Sequence, residues 1–269
     1  MKGSTSFYST EEEFRQYLMR TSYYTSLQNN LVSLVPSDSK VVLDLGTGTG
    51  STAMQVARKC SKGIVHATDI RPDILKLAEG IAKRENILNI RFGPADMNRL
   101  GSYLAATKLQ PDIITSLYSF HHISDPLENK QRVVNEMYAG LKKGGKALIA
   151  DLYLELGYNE PGYAAAAERQ YSMRSEEAYN SVFWAVLREM LDAGNVLEEA
   201  LARARQAAEY SKASELNALK GVISRAKAEV PEYLITMQQM RQLFEKAGFN
   251  ILLFQQVNSI GEAILLAER

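Results

Sequence analysis

Three glycines, Gly46, Gly48 and Gly50, alternate with threonines directly after the apolar run Val41–Leu45, in the stretch VVLDLGTGTG. A strand that runs into backbone this bare, and then into a helix, lets a ligand lie close against the main chain. One candidate ligand is a pyrophosphate on a helix N-terminus. The dinucleotide fingerprint G-x-G-x-x-G, however, needs a glycine at position 51, where Ser51 stands. Asp44 lies two residues before the first glycine. A carboxylate there repels phosphate and attracts an ammonium group. The other ligand that uses such a turn, S-adenosylmethionine, carries an ammonium, so the charge pattern favours it.

Two further acids follow in step. In HATDI, Asp69 stands at the end of the second strand, where a carboxylate can accept hydrogen bonds from ribose hydroxyls. Asp96 lies in GPADM, where it can take a bond from an adenine amine while Met97 packs on the ring. Asp96 is equally suited to cap the helix that follows. Two of the chain's three histidines, His121 and His122, stand together in SFHHISD. Histidine titrates near neutral pH and can take a hydroxyl or amine proton. His122 is the favoured base, and His121 the second candidate. His66 lies inside a strand and reads as core. No metal is expected, because adjacent histidines seldom converge on one ion and no cysteine or carboxylate is spaced to complete a site.

These groups need a scaffold, and residues 40–151 have the pattern of one. Short apolar runs at Val41–Leu45, Gly63–Ala67, Leu88–Phe92, Asp112–Leu117 and Lys146–Ala150 read as buried strands. Amphipathic stretches between them, such as the one carrying Val133, Val134, Met137 and Leu141, read as helices. Alternation of this kind implies a parallel sheet covered on both faces. Near the C-terminus, Met237 to Ala247 keep helical spacing, with Thr236 as N-cap and Gly248 as C-cap. FNILLFQQV and EAILLAE then form a hairpin-like ending.

From Leu152 to Pro231 the strands stop. Ser175 reads as the cap of one helix, DAGN at 192–195 as a turn, and the stretches around 197–204 and 216–223 as two further helices. This helical insertion is too long to be an ordinary connection. Another helical segment, Glu11 to Leu34, precedes the first strand. The expected organisation is an N-terminal helical segment (1–37), a ligand-binding domain (38–151 with 232–269) and a helical cap (152–231).

The chain has 269 residues, of which 46% are apolar, enough for a packed core. Lys+Arg and Asp+Glu balance at 31 each, which leaves no net field to draw in nucleic acid or an anionic membrane. The single cysteine, Cys60, reads as a small core residue. No segment resembles a signal peptide and no apolar run reaches membrane-spanning length, so the chain reads as cytoplasmic.

Taken in order and spacing, VVLDLGTGTG, HATDI, GPADMNRL, PDIITSLYSFHHISD and LKKGGKALIADLY resemble the class I S-adenosylmethionine-dependent methyltransferases, most closely their small-molecule branch with a double histidine after the fourth strand. The resemblance covers residues 38–153 and the final helix and hairpin. It implies an α/β, doubly wound, Rossmann-like sheet of order 3-2-1-4-5-7-6 with strand seven antiparallel. It also implies that S-adenosylmethionine lies against Asp44, Gly46, Thr47 and Gly48 at its methionine end. Asp69 and Ile70 then meet the ribose, Asp96 and Met97 the adenine, and Ser116 lines the reactive face. Tyr118 stands near the acceptor.

The expected reaction is in-line methyl transfer to oxygen, nitrogen or carbon of a small organic molecule. Tyr17 and Tyr23 from the first helical segment, together with Tyr118 and Tyr153, are the acceptor-binding candidates. Non-methyl chemistry on the same donor, such as aminopropyl transfer, and a non-catalytic relative of the fold are the alternatives. Nucleic-acid modification is disfavoured, since SLYSFHH stands where amine methylators of bases carry Asn/Asp-Pro-Pro-aromatic. A helical cap this long is also a route to a homodimer.

Overall fold

A computed structural model of the chain describes residues 22–124, 127–157, 160–224 and 233–269. The chain divides into an α/β unit, residues 27–153 with 233–269, and a helical unit, residues 1–26 with 154–232. Helix α1 (Ser22–Leu34) begins in the second and ends in the first.

Seven strands make the α/β unit: β1 (Val41–Leu45), β2 (Ile64–Asp69), β3 (Ile90–Pro94), β4 (Ile113–Leu117), β5 (Lys146–Leu152), β6 (Asn250–Gln256) and β7 (Glu262–Glu268). Their order is 3-2-1-4-5-7-6. β7 runs antiparallel to β5 and β6, and the remaining pairs are parallel. The sheet predicted from the sequence is therefore the sheet observed. β1, β4 and β5 are buried along nearly their whole length, which is why their sequences are aliphatic runs rather than alternating ones.

Helices α2 (Ser51–Lys59), α3 (Pro72–Arg84), α4 (Leu100–Thr107), α5 (Leu127–Gly140) and α8 (Met237–Ala247) cover the sheet. On one face, Leu43, Ile114, Phe120, Ile149 and Leu265 pack with Val133, Met137, Leu243 and Phe244 from α5 and α8. α8 is fixed at both ends. Thr236 and Gln239 form a reciprocal capping box, and Gly248 closes the helix at φ 99°.

β3 starts two residues later than its apolar run suggests. Asn89 turns its amide to the carbonyls of Ala57, Cys60 and Gly63, tying the end of α2 to the β3 entry and leaving Leu88 exposed. Cys60 is fully buried.

The helical unit is built on α6 (Tyr163–Asp192) and α7 (Leu197–Ser224), two long helices packed antiparallel. Val182, Val186 and Leu187 meet Ala200 and Ala204 near the turn. The 192–195 turn is present, with Gly194 in the left-handed region at φ 82°. Ser175 caps nothing: it lies inside α6 and its hydroxyl bonds the Ser172 carbonyl one turn back. The stretches at 197–204 and 216–223 belong to one helix. Among the described residues, no helix is long and apolar enough to cross a membrane.

Candidate active site

At the carboxyl ends of β1, β2, β4 and β5 the unit gathers its unusual groups. Gly46, Gly48 and Gly50 all have positive φ, at 69°, 53° and 81°, conformations a side chain would strain. A Cβ on Gly46 would stand 2.4 Å from the Ser119 side chain. At Gly48 a Cβ would meet no atom nearer than 3.9 Å, so there the main chain borders open space. The loop is tied to its neighbour strand: the Thr47 N–H donates to the Thr68 carbonyl at 2.8 Å, and the Gly48 N–H to Asp69 Oδ2 at 2.9 Å. Asp69 Oδ1 accepts from the Arg71 N–H at 3.0 Å, so this carboxylate shapes the loop it faces.

Asp44 is 2% exposed, and burial pushes its carboxyl up to about 6. The Thr115 hydroxyl, 2.6 Å from Oδ1, works against that rise. A buried carboxylate under this penalty is the group a cation would relieve. Asp96 caps the short turn at 97–99, its Oδ1 accepting from the backbone and side chain of Asn98. Met97 packs against the core and Ile70 is exposed at the rim of the same edge.

At the end of β4, Ser116 and Ser119 share a hydrogen bond of 2.7 Å, and the Ser119 hydroxyl donates to the Leu45 carbonyl at 2.8 Å. Tyr118 between them has φ 49°, a strained value for a non-glycine. The next turn, 120–122, carries both histidines. The His121 Nδ1 lies 2.6 Å from Oδ1 of Asp151, the penultimate residue of β5. The backbone N–H groups of His121 and Leu152 also donate to that carboxylate, at 3.0 and 2.8 Å. Burial would raise the Asp151 carboxyl, but these partners, the His121 ring foremost, hold it below its ordinary value. Asp151 is therefore a carboxylate and an acceptor, which makes His121 Nδ1 the donor and leaves the ring's basic lone pair on Nε2. His122 is exposed, with its ring 4.1 Å from that of His121.

Residues 42–145, which hold all of these groups but Asp151 and Leu152, match the family model described as methyltransferase domain. Residues 42–145 therefore form a methyltransferase domain. A protein of Methanocaldococcus jannaschii with the provisional name protein N5-glutamine methyltransferase is 34% identical over 130 residues, covering 44% of this chain and 65% of the relative. An O-methyltransferase family protein of Burkholderia thailandensis has a similar fold, with TM-score 0.58 at 12% identity over 93% of this chain and 57% of that one. Human N-acetylserotonin methyltransferase, solved with S-adenosylmethionine, gives 0.56 at 15% identity over 98% and 57%. The chain thus spans a little under two thirds of the archaeal relative's length.

The methyltransferase domain suits that donor on physical grounds: a bare loop at Gly48 that a Cβ would crowd only lightly, and a buried acid at Asp44 held at a cost without a cation. Of the acceptor candidates, Tyr118 and Tyr153 belong to this domain. Tyr153 is buried, with its ring edge-on to Phe254 at 5.6 Å. Tyr23 belongs to the helical unit, where its hydroxyl donates to Glu215 and its ring lies 4.6 Å from the Arg174 guanidinium. Tyr17 lies outside the described residues. His66 sits on β2, half-buried, and burial lowers its ring's affinity for a proton.

Two residues escaped the sequence reading. Asp151 was legible as an acid closing the buried run ALIAD, the same signal that singled out Asp44. Thr115, a hydroxyl inside a fully buried strand, left no comparable trace.

Proposed function

We propose that this protein transfers a methyl group from S-adenosylmethionine to a hydroxyl of a small organic molecule, with His121 as the base. The observation that carries the reading is the 2.6 Å contact between His121 Nδ1 and the buried Asp151 carboxylate. A hydroxyl keeps its proton at neutral pH, so an oxygen nucleophile calls for such a pair, and a histidine can take that proton.

S-adenosylmethionine, when bound, supplies a methyl already activated by its sulfonium. The protein's own work is to align and to move one proton. Asp44 answers the donor's ammonium, Asp69 and Ile70 its ribose, and Asp96 with Met97 its adenine. Gly46, Thr47 and Gly48 let the main chain approach, and Ser116 lines the reactive edge with Tyr118 beside the acceptor. Alignment of this kind can supply about 7–11 kcal/mol of the barrier. His121 Nε2 takes the acceptor's hydroxyl proton as oxygen attacks, and the ionised Asp151 stabilises the imidazolium that forms. This assigns the base to His121, whose ring the buried Asp151 carboxylate fixes.

Incubation with methyl-labelled donor and a panel of hydroxyl, amine, carbon-acid and glutamine-peptide acceptors tests the reading. Label in hydroxyl compounds supports it. Label confined to glutamine amides, as the archaeal relative's name describes, or to amines or carbon, would overturn it.

A further inference from the structure

A lysine is the only ordinarily charged side chain in the α/β unit that is both cationic and fully buried among the described residues. Lys130 lies in the first turn of α5 and has no exposed surface. The position is adverse twice over. Burial penalises the ammonium, and the positive end of the helix dipole disfavours a cation there. Local preference does not explain it, so its neighbours must.

Those neighbours surround His121. The Lys130 Nζ donates to the carbonyl of Ile123, just past the histidine turn. It lies 5.7 Å from the ring centroid of Phe120, the residue before His121. It also lies 5.9 Å from the ring of Tyr233, whose N–H donates to the His121 carbonyl at 3.0 Å. One ammonium therefore holds both flanks of the 120–122 turn and the segment that pins its backbone. Cation–π contacts and a charge-assisted bond each strengthen when water is excluded. Asp151 on β5 orients the ring from the sheet side; Lys130 fixes the backbone that carries it.

We infer that Lys130 is a positioning residue for His121, acting through the 120–123 turn to keep the imidazole on Asp151. The inference rests on the reading of His121 as the base, yet its test does not need turnover. The chain has three histidines, so their ring nitrogens separate in a spectrum of 15N-labelled protein. In the parent protein His121 should show a protonated Nδ1 in a strong hydrogen bond. Lys130→Met should lose that signature while binding S-adenosylhomocysteine within about twofold of the parent, since Ile123, Phe120 and Tyr233, which the ammonium meets, lie apart in the chain from the glycine loop. Lys130→Arg, which keeps the cation, should restore it.

On an acceptor that the parent enzyme methylates, Lys130→Met should lower kcat more than tenfold with the donor KM unchanged. An unaltered Nδ1 signature in Lys130→Met would overturn the inference and leave the base reading standing. A lost signature with parental turnover would uphold the positioning and overturn His121 as base. If Lys130→Met does not bind S-adenosylhomocysteine, Tyr233→Leu decides. It removes one ring from the ammonium, should weaken the signature, and overturns the inference if the signature is unchanged.

Discussion

His121 and Asp151 lie 30 residues apart in the chain, yet Nδ1 of the first stands 2.6 Å from Oδ1 of the second. The sheet makes the meeting: β4 and β5 are parallel neighbours, in register from Ile113 opposite Lys146 to Leu117 opposite Ala150. The histidine turn follows the end of β4, and Asp151 is the penultimate residue of the neighbouring β5. Asp151→Asn should therefore slow methyl transfer by roughly 10²-fold, because an amide cannot stabilise the imidazolium. Affinity for S-adenosylhomocysteine should stay within twofold, which calorimetry reads directly. The folded Asp151 carboxyl lies below its ordinary value, so its contribution to stability is fully present above the ordinary value and is lost as pH falls from there through the lower folded value. Acid unfolding of Asp151→Asn should accordingly be less steep.

Asp44 gives the opposite sign. Its carboxyl is pushed up from 3.8 to about 6, so the folded state holds the proton more tightly than the unfolded one. Relative stability is then highest below about pH 4 and declines until pH passes about 6. Asp44→Asn should stabilise the free protein at pH 7.5, by up to about 3 kcal/mol, and weaken donor binding. Urea unfolding at pH 5 and 7.5 with a parallel calorimetric titration checks both halves. Glu262, pushed up to about 8 by burial, adds a decline of the same sign in the parent, so the variant-minus-parent difference is the quantity to compare. Gain in both stability and affinity would remove Asp44 from the donor site.

The strands were legible because burial on two faces writes itself as aliphatic runs, and the α8 boundaries because Thr236 and Gly248 are local signals. The helical unit was less so. Ser175 has the chemistry of a cap but sits in the middle of α6, where packing against α7 outweighs its own preference. The same packing joins the 197–204 and 216–223 stretches into one helix. The choice between His121 and His122 could not be read from adjacent letters. It depends on which ring the 120–122 turn aims at a strand far off in sequence.

Inside the helical unit, Arg174 Nε donates to Glu215 Oε2 at 3.1 Å in a buried pair, with Tyr23 on the same carboxylate. Arg174→Met strands an acid in the interior and should cost about 3–5 kcal/mol. Arg174→Met combined with Glu215→Leu should cost much less than the sum of the single changes, which thermal melting of the four proteins would show. Additive losses would mean that the two side chains act independently.

The central claim is that His121, held by Asp151, takes the acceptor's proton. Turnover of His121→Ala and His122→Ala, measured side by side on an acceptor the parent methylates and at saturating donor, tests it most directly. The account predicts a loss of about 10²-fold or more in His121→Ala with donor-product affinity unchanged, and only a few-fold loss in His122→Ala. Equal activity in the two variants, or the larger loss in His122→Ala, would contradict it.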